Sequence, residues 1–484
     1  MEWWIYLLIA IGVCLLGIIA VVLIRTAMFK PKKHNYVKNT EEIVFDKQKN
    51  VSNLQELIRC KTVSFRDTSL EDDKEFEKLV NLLPKLYPNV YKACTLKTFD
   101  GRALLFKWEG KSHEKPTVLM AHYDVVPVDE QEWSKPAFDA IIENGELWGR
   151  GAVDTKVTFN AALFAADTLI AQGFVPNSDI YLAFSGGEEV NNEGASNIVK
   201  YFEENNIELG MVLDEGGAVV QKVFPGVDEK CAVVGIAEKG ILNLKYTVKS
   251  AGGHASAPKK NTPIPTLSNA CIRIEKHPFK MHLSKATLEL LDEIGRYSKV
   301  WALRMVLANL WLFKPLLGLA GKLIGGEINA LLRTTVAFTQ FKGSNTENVI
   351  PPEATMVSNI RINLDESIDS TIAYLKKTIN NDNIELSVIN GSNPSIVSQS
   401  SGDAWDKIGA AIVSTWDGSV VIPYVMLACS DSRHYGRISD KVYRFSACDL
   451  TNQERAGIHG NDERIRLEVV ERATSFYIRL IKSC

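Results

Sequence analysis

Several common motifs are absent from the sequence. It has no HExxH and no paired CxxC, which excludes single-zinc helical proteases and structural zinc knuckles. An excess of charge of one sign is also missing. Lys and Arg number 55 against 58 Asp and Glu, and a net charge of −3 does not point to a nucleic-acid partner. The eight cysteines form no disulfide framework. Cys14 falls in an apolar run, and Cys60, Cys94, Cys231, Cys271, Cys429, Cys448 and Cys484 are scattered and odd in number. There is no internal repeat and no low-complexity segment. At the N-terminus, the basic leader and the small-x-small site of a cleaved signal peptide are absent.

What the N-terminus does hold is an uncharged run of 22 residues, 3–24, long enough to cross a bilayer as one helix. Arg25, Lys30, Lys32, Lys33 and Lys38 follow it. By the positive-inside rule, these predict a single-pass membrane protein whose main body is cytoplasmic. The scattered cysteines agree with that side. Residues 1–30 read as the anchor and 31–50 as a polar stalk.

The chemistry gathers at strand ends. The apolar run 180–184 reads as a buried strand and leads into Ser185-Gly186-Gly187-Glu188-Glu189. In an open α/β sheet, ligands bind at the carboxyl ends of the strands. Adjacent side chains leave the backbone in different directions, so one glutamate can bind a metal while its neighbour handles a proton. Taken alone, such a pair is ordinary solvated surface. A second apolar run, 117–121, ends in His122-Tyr123-Asp124. There His122 offers one ring nitrogen to a metal and Asp124 can take the proton of the other. An isolated pair of this kind reads sooner as a core His with its Asp.

The same pattern of strand, acid and glycine recurs at Met211-Val212-Leu213-Asp214-Glu215-Gly216-Gly217. Asp154 follows Gly149-Arg150-Gly151 just before a helical pattern that starts near Val157, where its carboxylate is placed to bridge two metals. Far downstream, Gly457-Ile458-His459-Gly460 supplies a second His in a loop. Two His with three or four carboxylates suit a borderline divalent ion, above all zinc.

These motifs, with Gly253-His254-Ala255-Ser256, resemble the di-zinc metallopeptidase family of aminoacylase, acetylornithine deacetylase, succinyl-diaminopimelate desuccinylase and carboxypeptidase S. The likeness runs from about residue 50 to the C-terminus. Through residues 309–315 and 348–352 it is nearest the branch of carboxypeptidase S and N-fatty-acyl-amino-acid synthase/hydrolase. Members of that branch act in a vacuole lumen or outside the cell, which pulls against the topology read from the charges. The resemblance implies that His122 and Glu215 hold one zinc and Glu189 and His459 the other, with Asp154 between them. Asp214 stands as the alternative to Glu215, since only side-chain direction separates them. Glu188 becomes the general base and Asp124 the orienter of His122. His254 is implied to stabilise the oxyanion, in some relatives across a homodimer, and Asn348 and Arg361 to hold a substrate carboxylate. The bland alternative for His254 is a structural turn His, and for Arg361 an ordinary surface residue of a strand. Ser430-Asp431-Ser432-Arg433-His434 resembles a further loop near the site, with no role assigned.

The expected fold is α/β. Strand and helix patterns alternate over 51–237, which predicts a largely parallel central sheet and the first part of the catalytic domain. A β-α-β-β-α-β order over 238–392 predicts a small inserted unit, which the resemblance makes a lid. The catalytic domain then resumes over 393–484. Residues 284–330 form an apolar insertion, with Trp301, Trp311, Leu312 and Phe313 on more than one helix face. It reads as a helical pair packed on the lid or as a wall for an apolar substrate group. Its charges, Arg304 and Lys314, argue against a second span.

The functional expectation is hydrolysis of an amide next to a free carboxylate, most specifically of an N-acyl amino acid. A carboxypeptidase or dipeptidase is the alternative within the family. A metal-free binding relative is the alternative from another class, and it would show gaps in the ligand set.

Overall fold

The computed structural model describes residues 2–32, 34 and 36–484. Lys33, counted above in the basic flank, lies outside the described residues. The chain begins with a 26-residue helix, Trp3–Met28, long and apolar enough to cross a membrane. Only Val22 and Thr26 of this helix are buried.

The main body is α/β around an eight-stranded sheet. Its strands run in the order Thr95–Phe99, Ala103–Trp108, Ser178–Ser185, Ser112–His122, Met211–Gln221, Val442–Asp449, Lys230–Glu238 and Val420–Met426. The centre is parallel, where Ser112–His122 pairs with both of its neighbours and Met211–Gln221 pairs with Val442–Asp449. Thr95–Phe99 and Ala103–Trp108 close one edge as an antiparallel hairpin. The central strands are continuous apolar runs because helices cover both faces. Helix Lys156–Ala171 is buried almost all round, pressed between the sheet and helices Lys47–Ile58 and Leu467–Ser483. Helix Gly194–Glu204 covers the other face with Ile198, Val199 and Phe202.

Register is what positions the site. His122 lies directly opposite Ser185, and Leu119 opposite Leu213. The three motifs that follow these strands therefore emerge at one edge of the sheet. At the bend after Ser185 a side chain has no room: a Cβ on Gly187 would lie 1.7 Å from Asn192 Nδ2. The tight Gly186-Gly187 turn is what drops Glu188 and Glu189 beside His122.

A second sheet of four antiparallel strands is inserted after Glu238, in the order Thr335–Lys342, Glu353–Ile362, Gly240–Lys249 and Glu385–Ser392. Helices Pro263–Lys276 and Ile368–Ile379 cover it. Its own core is built around Leu242, Tyr246, Leu267, Met356, Ile360 and Leu375.

The apolar insertion packs elsewhere than a helical pair on the lid. Leu290, Ile294, Leu307 and Ala308 join Phe29 and the strand residues Val220, Val233, Val420 and Ile422 in one cluster. The core of the inserted sheet contains no residue of 284–330. An apolar helix face buries itself against whichever uncovered apolar edge is nearest. Here that edge is strand Val420–Met426 and the base of the N-terminal helix.

Candidate metal centre

Five acidic or imidazole side chains converge at the carboxyl ends of the central strands. His122 closes its strand, is buried, and lies 3.1 Å through Nε2 from Asp154 Oδ1 and 3.2 Å from Glu215 Oε1. On the other side of Asp154, His459 Nε2 lies 3.1 Å from Asp154 Oδ2 and 3.1 Å from Glu189 Oε2. The result is two triads, His122–Asp154–Glu215 and Asp154–Glu189–His459, that share one carboxylate. In each triad the donor atoms lie within 4.8 Å of one another.

The donor set fits two divalent cations. His122 Nδ1 faces the Asp124 carbonyl at 3.0 Å and can donate only from that nitrogen. A neutral ring with its proton there turns a lone pair on Nε2 toward two carboxylates, which repels unless positive charge lies between. Glu189 Oε1 is buried with no hydrogen-bond partner among the described residues, as suits an oxygen reserved for a cation. Oxygen and imidazole donors in this ratio suit zinc and its neighbours.

The electrostatics carry the same strain. Burial opposes the charged form of His122, but Glu215, Asp124 and Asp154 outweigh it and hold its pKa well above the usual value. His459 is raised to about 10, chiefly by its contacts with Asp154 and Glu189. Glu215 is pushed up to about 7, mainly by burial. Without a cation the half-buried carboxylates of the site crowd one another, and Glu215, Glu188 and Glu189 are pushed toward their protonated forms while the two histidines hold Asp154 ionised.

Asp124 does more than brace the imidazole. Its Oδ1 lies 3.3 Å from His122 Nδ1 and accepts the Glu188 backbone N–H at 3.1 Å. Its Oδ2 accepts the Glu189 backbone N–H at 3.2 Å and the Ser64 hydroxyl. One buried carboxylate thus ties the His122 strand end to the Gly-Gly-Glu-Glu turn. The Glu188 side chain belongs to neither triad. Its pKa is raised well above the usual value, first by burial and then by Asp431, Glu215 and Glu189, with His122 opposing.

Asp214 and Glu215 diverge as neighbours on a strand must. Glu215 faces His122, while Asp214 turns away and accepts the Ser432 backbone N–H at 2.9 Å. Burial and the nearby Asp431 push Asp214 up to about 6.

Glu463 is the residue that sequence reasoning passed over. Its Oε1 accepts backbone N–H groups of Val153 at 2.7 Å and Asp154 at 3.1 Å. Its Oε2 accepts Gly151 N–H at 3.0 Å and Arg150 Nη1 at 2.8 Å. Arg150 Nη2 in turn donates to the Gly460 carbonyl at 2.8 Å. This fully buried pair locks the turn that carries Asp154 to the loop that carries His459. The only signal in the sequence was an acid four residues after His459.

Three expected site residues, His254, Asn348 and Arg361, belong to neither triad. His254 and Asn348 share a small exposed ribbon, where Gly253–His254 pairs with Val349–Ile350 and Ala255 N–H donates to the Asn348 carbonyl at 3.0 Å. His254 Nδ1 accepts from the Ser256 backbone at 3.1 Å. Arg361 lies at the far end of strand Glu353–Ile362, with Nη1 3.5 Å from Cys429 Sγ. Asn348 and Arg361 are therefore separated by the length of that strand, roughly 27 Å at about 3.3 Å per residue. They form no single carboxylate clamp in this conformation.

Residues 118–483 match the model of peptidase family M20/M25/M40. The chain is 33% identical over 484 residues to the probable carboxypeptidase S-like 2 of Dictyostelium discoideum, covering 97% of this chain and 92% of that one. It is 32% identical over 486 residues to the N-fatty-acyl-amino acid synthase/hydrolase PM20D1 of Xenopus tropicalis, covering 99% and 94%. Among solved structures, the M20 family metallo-carboxypeptidase Sso-CP2 from Sulfolobus solfataricus superposes with a TM-score of 0.67 at 18% identity, over 90% of this chain and 98% of that one. Human carnosine dipeptidase 1 superposes with a TM-score of 0.63 at 13% identity, over 90% and 96%. The chain belongs to peptidase family M20/M25/M40 and is a metallo-hydrolase that acts on amide bonds.

Proposed function

We propose that this protein hydrolyses the amide of an N-acyl amino acid at a two-zinc centre. The observation that carries the reading is the pair of triads sharing Asp154, with the half-buried Glu188 beside them and outside both. His122 and Glu215 would hold one ion, Glu189 and His459 the other, and Asp154 both. When bound, such ions acidify water and polarise the scissile carbonyl. Glu188 takes the proton from the attacking water and passes it to the leaving nitrogen. Asp124 holds His122 in the tautomer that leaves Nε2 free for a ligand bond. Neither triad lacks a member, which speaks against a metal-free binding protein.

Arg361, beside the Cys429 loop, would hold the substrate carboxylate from the inserted sheet. His254 and Asn348 would reach the reacting carbonyl when that sheet closes as a lid, or from a second copy of the chain. The protein purified with its metals should contain about two divalent ions per chain, as a two-metal site requires. Elemental analysis showing full activity at one ion or none would overturn the reading.

The substrate class is tested by a hydrolysis panel of N-acyl amino acids, from acetyl to long-chain, against dipeptides with the same C-terminal residue. The N-acyl reading, supported by the PM20D1 relative, expects the highest kcat/KM among the acyl substrates. The carboxypeptidase reading, supported by the carboxypeptidase S-like relative, expects dipeptides to win.

Helix Trp3–Met28 would anchor the enzyme in a bilayer, with its catalytic body on the cytoplasmic side. Protease added to intact cells should then spare the body, and digestion there with the cytoplasm still sealed would reverse the orientation.

A further inference from the structure

Helix Leu310–Ile324 leaves a row of leucines uncovered. Leu312, Leu316, Leu319 and Leu323 recur at helical spacing, and their exposures run from 40% to 77%. Trp311, 56% exposed, and Lys322 flank this row on one side, and Lys314 is exposed further round the helix. A stripe of this kind in a water-soluble body would be covered or absent.

Its position says what covers it. The residue that starts the helix, Asn309, donates through Nδ2 to the Val22 carbonyl at 3.3 Å and to Thr26 Oγ1 at 3.2 Å. Arg25 donates through Nε and Nη2 to the Ala308 carbonyl at 3.2 and 3.1 Å. Phe29 lies under the Arg296 guanidinium at 4.5 Å, and Lys32 pairs with Asp292 at 2.6 Å. The N-terminal helix is thus fastened to the body at its last two turns and bare before them. About 20 helical residues cross a hydrocarbon core of about 30 Å. Counted from Trp3, that length ends near Val22, at the residue Asn309 holds. Helix Leu310–Ile324 therefore starts at the level where the span leaves the bilayer. It turns there by 118° from helix Trp301–Ala308. A cavity of about 640 Å³ lies in the angle, lined by Arg25, Phe29, Arg296, Leu310 and Trp311 among others.

We propose that helix Leu310–Ile324 lies in the bilayer interface, its leucine stripe among the acyl chains beside the emerging span. The inference rests on the anchor reading of Trp3–Met28. Tryptophan at the rim and lysines that reach toward headgroups are the composition of an in-plane helix. A second copy of the chain is the other possible cover, but the stripe's continuity with the span favours lipid.

The test uses the full chain in phosphatidylcholine–phosphatidylserine vesicles whose acyl chains carry bromine, which quenches tryptophan on contact. The protein has nine tryptophans, and Trp3 and Trp4 report the span itself. Trp311→Phe should lower the quenched emission by the share of about one tryptophan in nine. Replacing Leu312, Leu316, Leu319 and Leu323 by Ser should remove the same share while Trp311 is still present. Hydrolysis of a soluble substrate should be unchanged in both variants. If Trp311→Phe alters nothing while Trp3→Phe/Trp4→Phe lowers the quenching, the anchor stands and the in-plane helix is wrong. If neither variant alters it, both readings fall. Dimers in nanodiscs that the serine variant splits, with no Trp311 quenching, would assign the stripe to a second copy and overturn the proposal.

Discussion

Glu188→Gln should keep both metal ions and lower kcat by about 10²- to 10⁴-fold, the range a positioned general base contributes. The substitution preserves shape and removes the group that accepts the proton. Retention of metal is expected because the Glu188 carboxylate stands outside both triads. Its backbone N–H would still bond Asp124, so the turn carrying Glu189 stays in place. Glu189→Gln should do the reverse: it weakens the His459 side of the centre, and added zinc should restore part of the activity. KM separates the two further. A lost base lowers kcat with little change in KM, whereas a disturbed centre alters both. Near-normal kcat in Glu188→Gln, with two ions bound, would remove this residue from the proton transfer.

Glu463→Ala should destabilise the folded protein by about 3–5 kcal/mol, the cost of leaving a buried charge without its partner. Arg150 would lose its carboxylate, and three backbone N–H groups would lose their acceptor in a place water does not reach. The loss should extend to the centre, because Asp154 and His459 sit on the two segments that Glu463 joins. Reduced metal content at a fixed zinc concentration is therefore expected even where the variant remains folded. The double variant Arg150→Met/Glu463→Leu should recover part of the stability, since no uncompensated charge remains. Denaturant titrations of the three proteins decide it. A cost below about 1 kcal/mol for Glu463→Ala would mean that solvent or another donor reaches the pair.

Much of the fold was legible in the residues. The runs 117–121 and 180–184 are apolar throughout because those strands are covered on both faces, and that pattern does not depend on what covers them. The glycines after them were legible as a turn, and at Gly187 a Cβ would meet the Asn192 side chain. The β-α-β-β-α-β order of the inserted unit was also readable, since each element there carries its own period. Which acids could serve a metal was readable from residue type, and the choice between Asp214 and Glu215 was not. That choice depends on which face of the strand meets His122, and a neighbouring strand sets it.

The residues by themselves determined where the strands end, where the turns fall and that a helix able to cross a membrane opens the chain. Those features are set by local sterics and apolar periodicity, which act over a few neighbours. Only the tertiary structure decided that Glu463 pairs with Arg150 across 313 positions, and that Asp124 pins the turn of Glu188 and Glu189. It also placed His254 and Asn348 at one end of the inserted sheet with Arg361 at the other, and seated helices Lys285–Tyr297 and Trp301–Ala308 on the base of the N-terminal helix. Each of these is a contact between segments remote in the chain. A carboxylate or an apolar face takes whichever partner the fold brings within reach, and no spacing along the sequence records which one that is.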